Sequence, residues 1–180
     1  YTISSTTSVE ASGILPEGAT HTYERSATTG QKGQMTAGNS TRLYLTGWEG
    51  CTIRTVTLSM RSNKSAGAGS LRMRIGNNEV WSIADEPFDS DAWAGQYTTD
   101  FVPICKHMQT IVDGDIEIVI SATENSLYIQ SYEIAYEAVV PTCHTVSFVT
   151  GLDFQPEPIT QTEIGAELIE KEEALESIRE

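Results

Sequence analysis

Between Ser70 and Ile83 the chain reads SLRMRIGNNEVWSI, where Leu71, Met73 and Ile75 alternate with Ser70, Arg72 and Arg74 ahead of a Gly-Asn-Asn run at Gly76–Asn78. A period of two sends successive side chains to opposite faces, so the stretch buries one apolar face as a β-strand and not as a helix. Gly-Asn-Asn predicts a tight turn, with NEVWSIA as the returning strand. The same alternation recurs in DIEIVISA, with Ile116, Ile118 and Ile120 on one face, and in RLYLT (42–46) after the turn-forming AGNS. In CTIRTVTLSM (51–60) Val56, Leu58 and Met60 share a face, but the phase slips between Ile53 and Val56. Such a slip predicts a bulge or a change of face.

SLYIQSYEIAYEAV follows Glu124-Asn125 and reads as the second arm of a closing hairpin. Its Tyr128, Tyr132 and Tyr136 share parity with Ile134, so all three are expected at the core margin, ring packed and hydroxyl wet. The first 140 residues contain no helical period of useful length. Many short strands without helices predict an all-β chain built as a β-sandwich, jelly-roll-like in arrangement, over residues 1–140.

Pro141 marks a change of composition. Residues 141–180 carry nine acidic and two basic side chains, a net of −7 within a total of −14. HTVSFVTG (144–151) reads as a strand and PITQTEIGAELI as a second extended run. EKEEALESIRE favours a short C-terminal helix, with Leu168, Leu175 and Ile178 at apolar spacing. Forty residues rarely sustain a core alone, so this segment reads as part of a domain.

The acidic balance, with a pI near 4.5, repels phosphate backbones and anionic bilayers, which argues against nucleic-acid binding and membrane docking. No apolar run of about 18 residues is present to span a membrane. The polar opening TISSTTSVEASG, without a charged-then-apolar leader, is expected of a trimmed secreted product. Cys51, Cys105 and Cys143 form no CxxC pair, and Cys143-His144 is a poor ligand spacing, so buried thiols are the expectation.

Four groups of residues are candidates for chemistry. Trp48, Trp81 and Trp93, with Tyr97, could form a carbohydrate platform, because sugar rings stack on flat aromatic faces. Trp48 in TGWEG and Trp93 in DAWAGQY lie in turn-like text and are expected to be exposed; the plainer reading has the tryptophans plugging the ends of the sandwich. Asp85, Glu86, Asp89 and Asp91 form an acidic loop that could hold a structural calcium ion, or simply be solvated. Cys105 and His107 share one side of a strand, yet i, i+2 side chains rarely align for proton transfer, and His21 and His144 lie in no motif. Gly67 and Gly69 in SAGAGS read as a flexible hairpin tip; without a helix after them they form no phosphate cradle.

The stretch from Gly38 to Glu137 resembles a β-sandwich module recurrent in large secreted or surface proteins of Bacteroidetes-type gut bacteria. The resemblance rests on TLSMRSNKSAGAGSLRMRIGNNEVWSI, DSDAW and IVISATENSLYIQSYEIAYE. The tail CHTVSFVTGLDFQPEPITQTEIGAELIEKEEALESIRE resembles the opening of a Listeria–Bacteroides repeat, a small β-grasp-like unit, in His144–Phe148 and Ile159–Ile164. That family closes with a Gly-Trp strand not reached by Glu180, so a truncated, partial repeat is expected. The resemblance implies a non-catalytic extracellular accessory module of a larger bacterial surface protein, for adhesion, spacing or glycan binding. Its partner would be a glycan or a host or cell-surface protein. The alternative is a fragment of a secreted carbohydrate-active or proteolytic enzyme whose catalytic domain lies elsewhere.

Overall fold

The computed structural model describes residues 1–62, 67–93 and 100–138, together with two strands further on, His144–Val146 and Ile159–Gln161. The chain divides into two compact units, Tyr1–Ala138 and Val139–Glu180.

The first unit is all-β. Its strands are β1 (Thr2–Ile3), β2 (Val9–Glu10), β3 (Thr20–Arg25), β4 (Gln34–Thr36), β5 (Ser40–Thr46), β6 (Thr52–Ser62), β7 (Ala68–Ile75), β8 (Asn78–Pro87), β9 (Val102–Ile111), β10 (Ile116–Glu124) and β11 (Ser126–Glu137). They form two antiparallel sheets. One is six-stranded, in the order β2-β1-β11-β6-β9 with β4 also on β11; the other is five-stranded, in the order β3-β5-β10-β7-β8. The architecture is that of a β-sandwich.

The alternation read from the sequence places the core. Leu71, Met73, Ile75, Ile116, Ile118, Ile120, Leu43 and Leu45 point inward from one sheet, and Ile53, Val56, Leu58, Met60, Leu127 and Ile129 from the other; all are buried. Each such side chain contributes about 1.5–3 kcal/mol by leaving water. Between the sheets the Tyr132 hydroxyl lies 3.2 Å from Thr41 Oγ1, so the deepest phenol keeps a partner, and burial pushes its pKa far up. The Gly-Asn-Asn hairpin forms as expected: Ile75 pairs with Asn78 across a two-residue turn, with Gly76 at φ +53°. The phase slip in β6 is a register shift against β9 between Ile53 and Thr55.

Three expectations are corrected. β10 and β11 do not form a hairpin: β10 pairs with β5 and β7, β11 with β6, β4 and β1. Asn125, at φ +51°, turns the chain from one sheet to the other, a left-handed conformation that Asn tolerates better than most residues. The tyrosines of β11 do not share a face either. A shift between Ile129 and Ser131 inserts Gln130 and inverts the phase, so Tyr128 points outward while Tyr132, Ile134 and Tyr136 point inward.

The stretch SNKSAGAGS, expected as a flexible hairpin tip, does not join a hairpin: β6 pairs with β11 and β9, β7 with β10 and β8, so the chain changes sheet between them. β6 runs to Ser62 and β7 starts at Ala68, and Gly67, Ala68 and Gly69 are all buried. A Cβ on Gly69 would lie 2.1 Å from the Ser121 carbonyl oxygen and 2.7 Å from Leu127 Cδ1. Gly69 is therefore a point of close backbone approach.

In the second unit, β12 (His144–Val146) pairs antiparallel with β13 (Ile159–Gln161), with His144 opposite Gln161. These strands fall within the two extended runs read from the sequence. The expected C-terminal helix lies outside the described residues. Among the described residues no helix is long and apolar enough to cross a membrane.

Candidate functional site

The tryptophans do not form an open platform. Trp48 is 1% exposed, Trp93 6% and Trp81 8%, which corrects the expected exposure of Trp48 and Trp93; Tyr97 lies outside the described residues. Trp81 stands on β8 opposite Met73. Trp48 follows the end of β5, where Leu45 pairs with the first residue of β10. Trp93 follows β8, whose Pro87 pairs with Ala68 beside the last residue of β10. The two rings therefore close opposite ends of the sandwich. Trp93 packs on Phe88 at 5.8 Å and Trp48 packs edge-on against Tyr136 at 4.8 Å. Turn residues turn inward here because a flat ring covers an end that no strand closes.

The four carboxylates do not converge. Asp85 and Glu86 are on strand β8, where neighbours point to opposite faces, and Asp89 and Asp91 are in the turns after it. Asp85 accepts a hydrogen bond from the Thr123 hydroxyl. Among the described residues no three His, Cys, Asp or Glu side chains could hold a metal ion.

Cys105 and His107 share the outer face of β9, and each meets a threonine of β6. Thr57 Oγ1 is 3.4 Å from Cys105 Sγ and Thr55 Oγ1 is 3.1 Å from His107 Nδ1. Cys51 is buried as expected, whereas Cys105 is exposed, because the outer face of an edge strand has nothing to cover it. Cys143 lies outside the described residues.

The outer sheet faces offer few bare aromatic rings. On one sheet the Arg61 guanidinium lies 4.1 Å from the Tyr128 ring centre and 5.2 Å from that of Phe101. On the other, Arg42 covers Tyr44 at 4.6 Å while holding Glu117 (2.6 Å) and Glu24 (3.3 Å). The Tyr44 hydroxyl donates to Asp115, and that bond raises its pKa. Arg72 and Arg74 lie on the same outward parity, as the alternation required. Arg74 stands between Glu117 and Glu79 and donates to the Asn77 carbonyl at 3.1 Å.

A cleft of about 320 Å³ opens where the sequence reading placed only the core margin. It is lined by Tyr1, the segment Ser12–Leu15, Trp48, Ser131–Ile134 of β11 and Tyr136, of whose rings Tyr1 and Tyr136 are partly exposed and Trp48 and Tyr132 buried. The local folding explains the opening. β1 is two residues long and meets β11 only at Thr2–Ser131, so among the described residues the β11 edge beyond that pairing has no strand beside it. The Tyr132 N–H donates to the Tyr1 carbonyl at 2.9 Å. Counting by two along the strand, Ile134 directs its own N–H and C=O to the same side, into the cleft. The Tyr136 hydroxyl donates to the Ile14 carbonyl at 3.2 Å and ties the segment down.

Two buried polar atoms of the cleft lining are unmatched. Neither the Trp48 indole nitrogen nor the Tyr1 hydroxyl has a hydrogen-bond partner; the Trp93 nitrogen is likewise unpartnered at the other end. Burial pushes the Tyr1 phenol up to about 12, against a smaller downward pull from the nearby Trp48 N–H. Of these residues the sequence reading singled out Trp48 as a candidate and Tyr132, Ile134 and Tyr136 as margin residues. It missed Tyr1, Ile14 and Glu133, which nothing local marks.

No protein-family model and no curated protein matches the chain. Among solved structures, that of the carbohydrate-binding module TmCBM61 in complex with β-1,4-galactotriose superposes with a TM-score of 0.40 at 11% identity, over 67% of this chain and 90% of that one. The likeness is too distant for that protein's ligand to bear on this chain.

Proposed function

We propose that this chain is a non-catalytic accessory module of a larger secreted or surface protein, of the Bacteroidetes-type kind its sequence resembles, and that it binds glycan. The cleft carries the reading: the partly exposed rings of Tyr1 and Tyr136, two buried polar hydrogens without partners and a strand edge meet in one concave place. Sugars are bound by that combination, apolar C–H faces on aromatic rings and hydroxyls on fixed donors and acceptors. The first unit is read as a jelly roll. Its strand order supports this, since β4-β11-β6-β9 faces β5-β10-β7-β8 and the connection from β5 to β6, like those from β8 to β11, changes sheet. The second unit is read as a partial β-grasp-like repeat, supported by the β12–β13 pair.

The test is a glycan array probed with the intact chain and with Trp48→Phe and Tyr136→Phe. The wild type is expected to be retained on a subset of glycans. Both variants should lose retention while keeping the wild-type unfolding midpoint within a few degrees. Retention on no glycan would leave adhesion or spacing, without a sugar ligand, as the function.

A further inference from the structure

We infer that the cleft takes a single terminal, uncharged pyranose end-on, and not a run of internal sugars; this rests on the glycan-binding reading above. Size is the first reason. About 320 Å³ is at the bottom of the usual ligand-pocket range of about 300–1,000 Å³ and equals roughly ten waters' share of liquid volume. One ring fills that space, and further sugars of a chain would lie outside it.

The surroundings give the second reason. A chain-reading site needs further rings in line, and Tyr44, Tyr128 and Phe101 on the outer sheet faces are each stacked by an arginine. Trp81 and Trp93 are buried elsewhere in the sandwich. In the cleft the rings that reach open space are Tyr1 and Tyr136, both partly exposed and neither, among the described residues, stacked by an arginine. The third reason is charge. No Lys, Arg or His side chain lines the cleft, and Glu133 does. A uronic or sialic acid would bring its carboxylate to a site with no side-chain cation to receive it, where the Tyr1 ammonium is already held by the Tyr132 carbonyl at 2.8 Å, in a chain of net charge −14. A neutral sugar instead meets what is present: the Trp48 and Tyr1 hydrogens for ring or hydroxyl oxygens, and the Ile134 N–H and C=O for hydroxyls.

Isothermal titration calorimetry tests this on the intact chain. The probes are the methyl glycosides of glucose, galactose, mannose and N-acetylglucosamine, homotrisaccharides of the same sugars, methyl glucuronide and N-acetylneuraminic acid. At least one neutral methyl glycoside should bind, with its trisaccharide less than about tenfold tighter and the acidic sugars weaker than it by about tenfold or more. Ser12→Trp, which fills the cleft from an exposed position, should abolish binding without moving the unfolding midpoint. A trisaccharide tighter by about tenfold or more, an acidic sugar binding within about tenfold of the best neutral one or better, or full binding by Ser12→Trp would overturn the end-on assignment while leaving glycan binding in place. No binding by any probe, short or long, neutral or acidic, would sink the assignment and the glycan reading together.

Discussion

Replacing Gly69 by alanine separates two descriptions of one residue. As part of a flexible tip it would tolerate a methyl group, with a gain of about 0.4–1 kcal/mol from a stiffer unfolded chain. In the structure it is buried on β7, and a Cβ would lie 2.1 Å from the Ser121 carbonyl oxygen and 2.7 Å from Leu127 Cδ1. Ordinary C···O approaches are about 3.3–3.6 Å, so the backbone of β10 must retreat by more than about 1 Å. Leu127 belongs to the opposite sheet and leaves little room on that side. Overpacking of this kind costs roughly 1–3 kcal/mol, and a weakened β7–β10 hydrogen bond adds about 1 kcal/mol. Less the unfolded-state gain, the net loss is about 1–3.6 kcal/mol, or roughly 2–14 °C in Tm for a chain of this size. Urea unfolding followed by tryptophan fluorescence reads it directly, with Gly13→Ala as the comparison, since a Cβ there meets nothing within 4 Å and only the positive φ of +86° is at stake. Gly69→Ala within about 0.5 kcal/mol of wild type would show that the close approach does not exist.

Burial raises the phenol pKa values of Tyr1 and Tyr23 to about 12 from an ordinary 10. A raised pKa stabilises the fold below the unfolded value and stops doing so as pH climbs through the folded one, so stability should fall between about pH 10 and 12. Ultraviolet titration at low protein concentration should show both rings ionising late, in step with unfolding; ordinary titration of all tyrosines near pH 10 would contradict their burial. Because Asp85, Glu86, Asp89 and Asp91 do not converge, adding a chelator should leave the thermal midpoint unchanged. A fall of several degrees would mean that a bound ion contributes to stability.

What was legible in the sequence was periodic. Leu71, Met73 and Ile75, the three isoleucines of β10 and the Gly76–Asn77 turn are local patterns, and local geometry sufficed to read them. The slip after Ile53 was legible for the same reason, since an apolar phase that breaks leaves a trace. Gln130 left none: it lies between Ile129 and Ser131, where the next inward residue is a tyrosine that either phase could accommodate. Asn125 was misread because a short polar link between two strands looks the same whether the chain returns along its own sheet or crosses to the other. The tryptophans were misplaced because turn-like flanks report the backbone, whereas burial depends on what lies across the end of the sandwich. The cleft was least legible of all. Tyr136 meets Ile14 over 122 positions of chain, and Tyr1 meets Tyr132 over 131; no window of sequence holds both sides of it.

The most direct test is the indole N–H region of a ¹H–¹⁵N spectrum, where the three tryptophans give three signals assignable by Trp48→Phe and Trp93→Phe. On adding the best-bound methyl glycoside to saturation, the Trp48 signal should shift as its unmatched hydrogen gains an oxygen partner, while those of Trp81 and Trp93 stay in place. A saturated complex in which the Trp48 signal does not move, or in which Trp93 moves instead, would contradict the assignment of the cleft as the binding site.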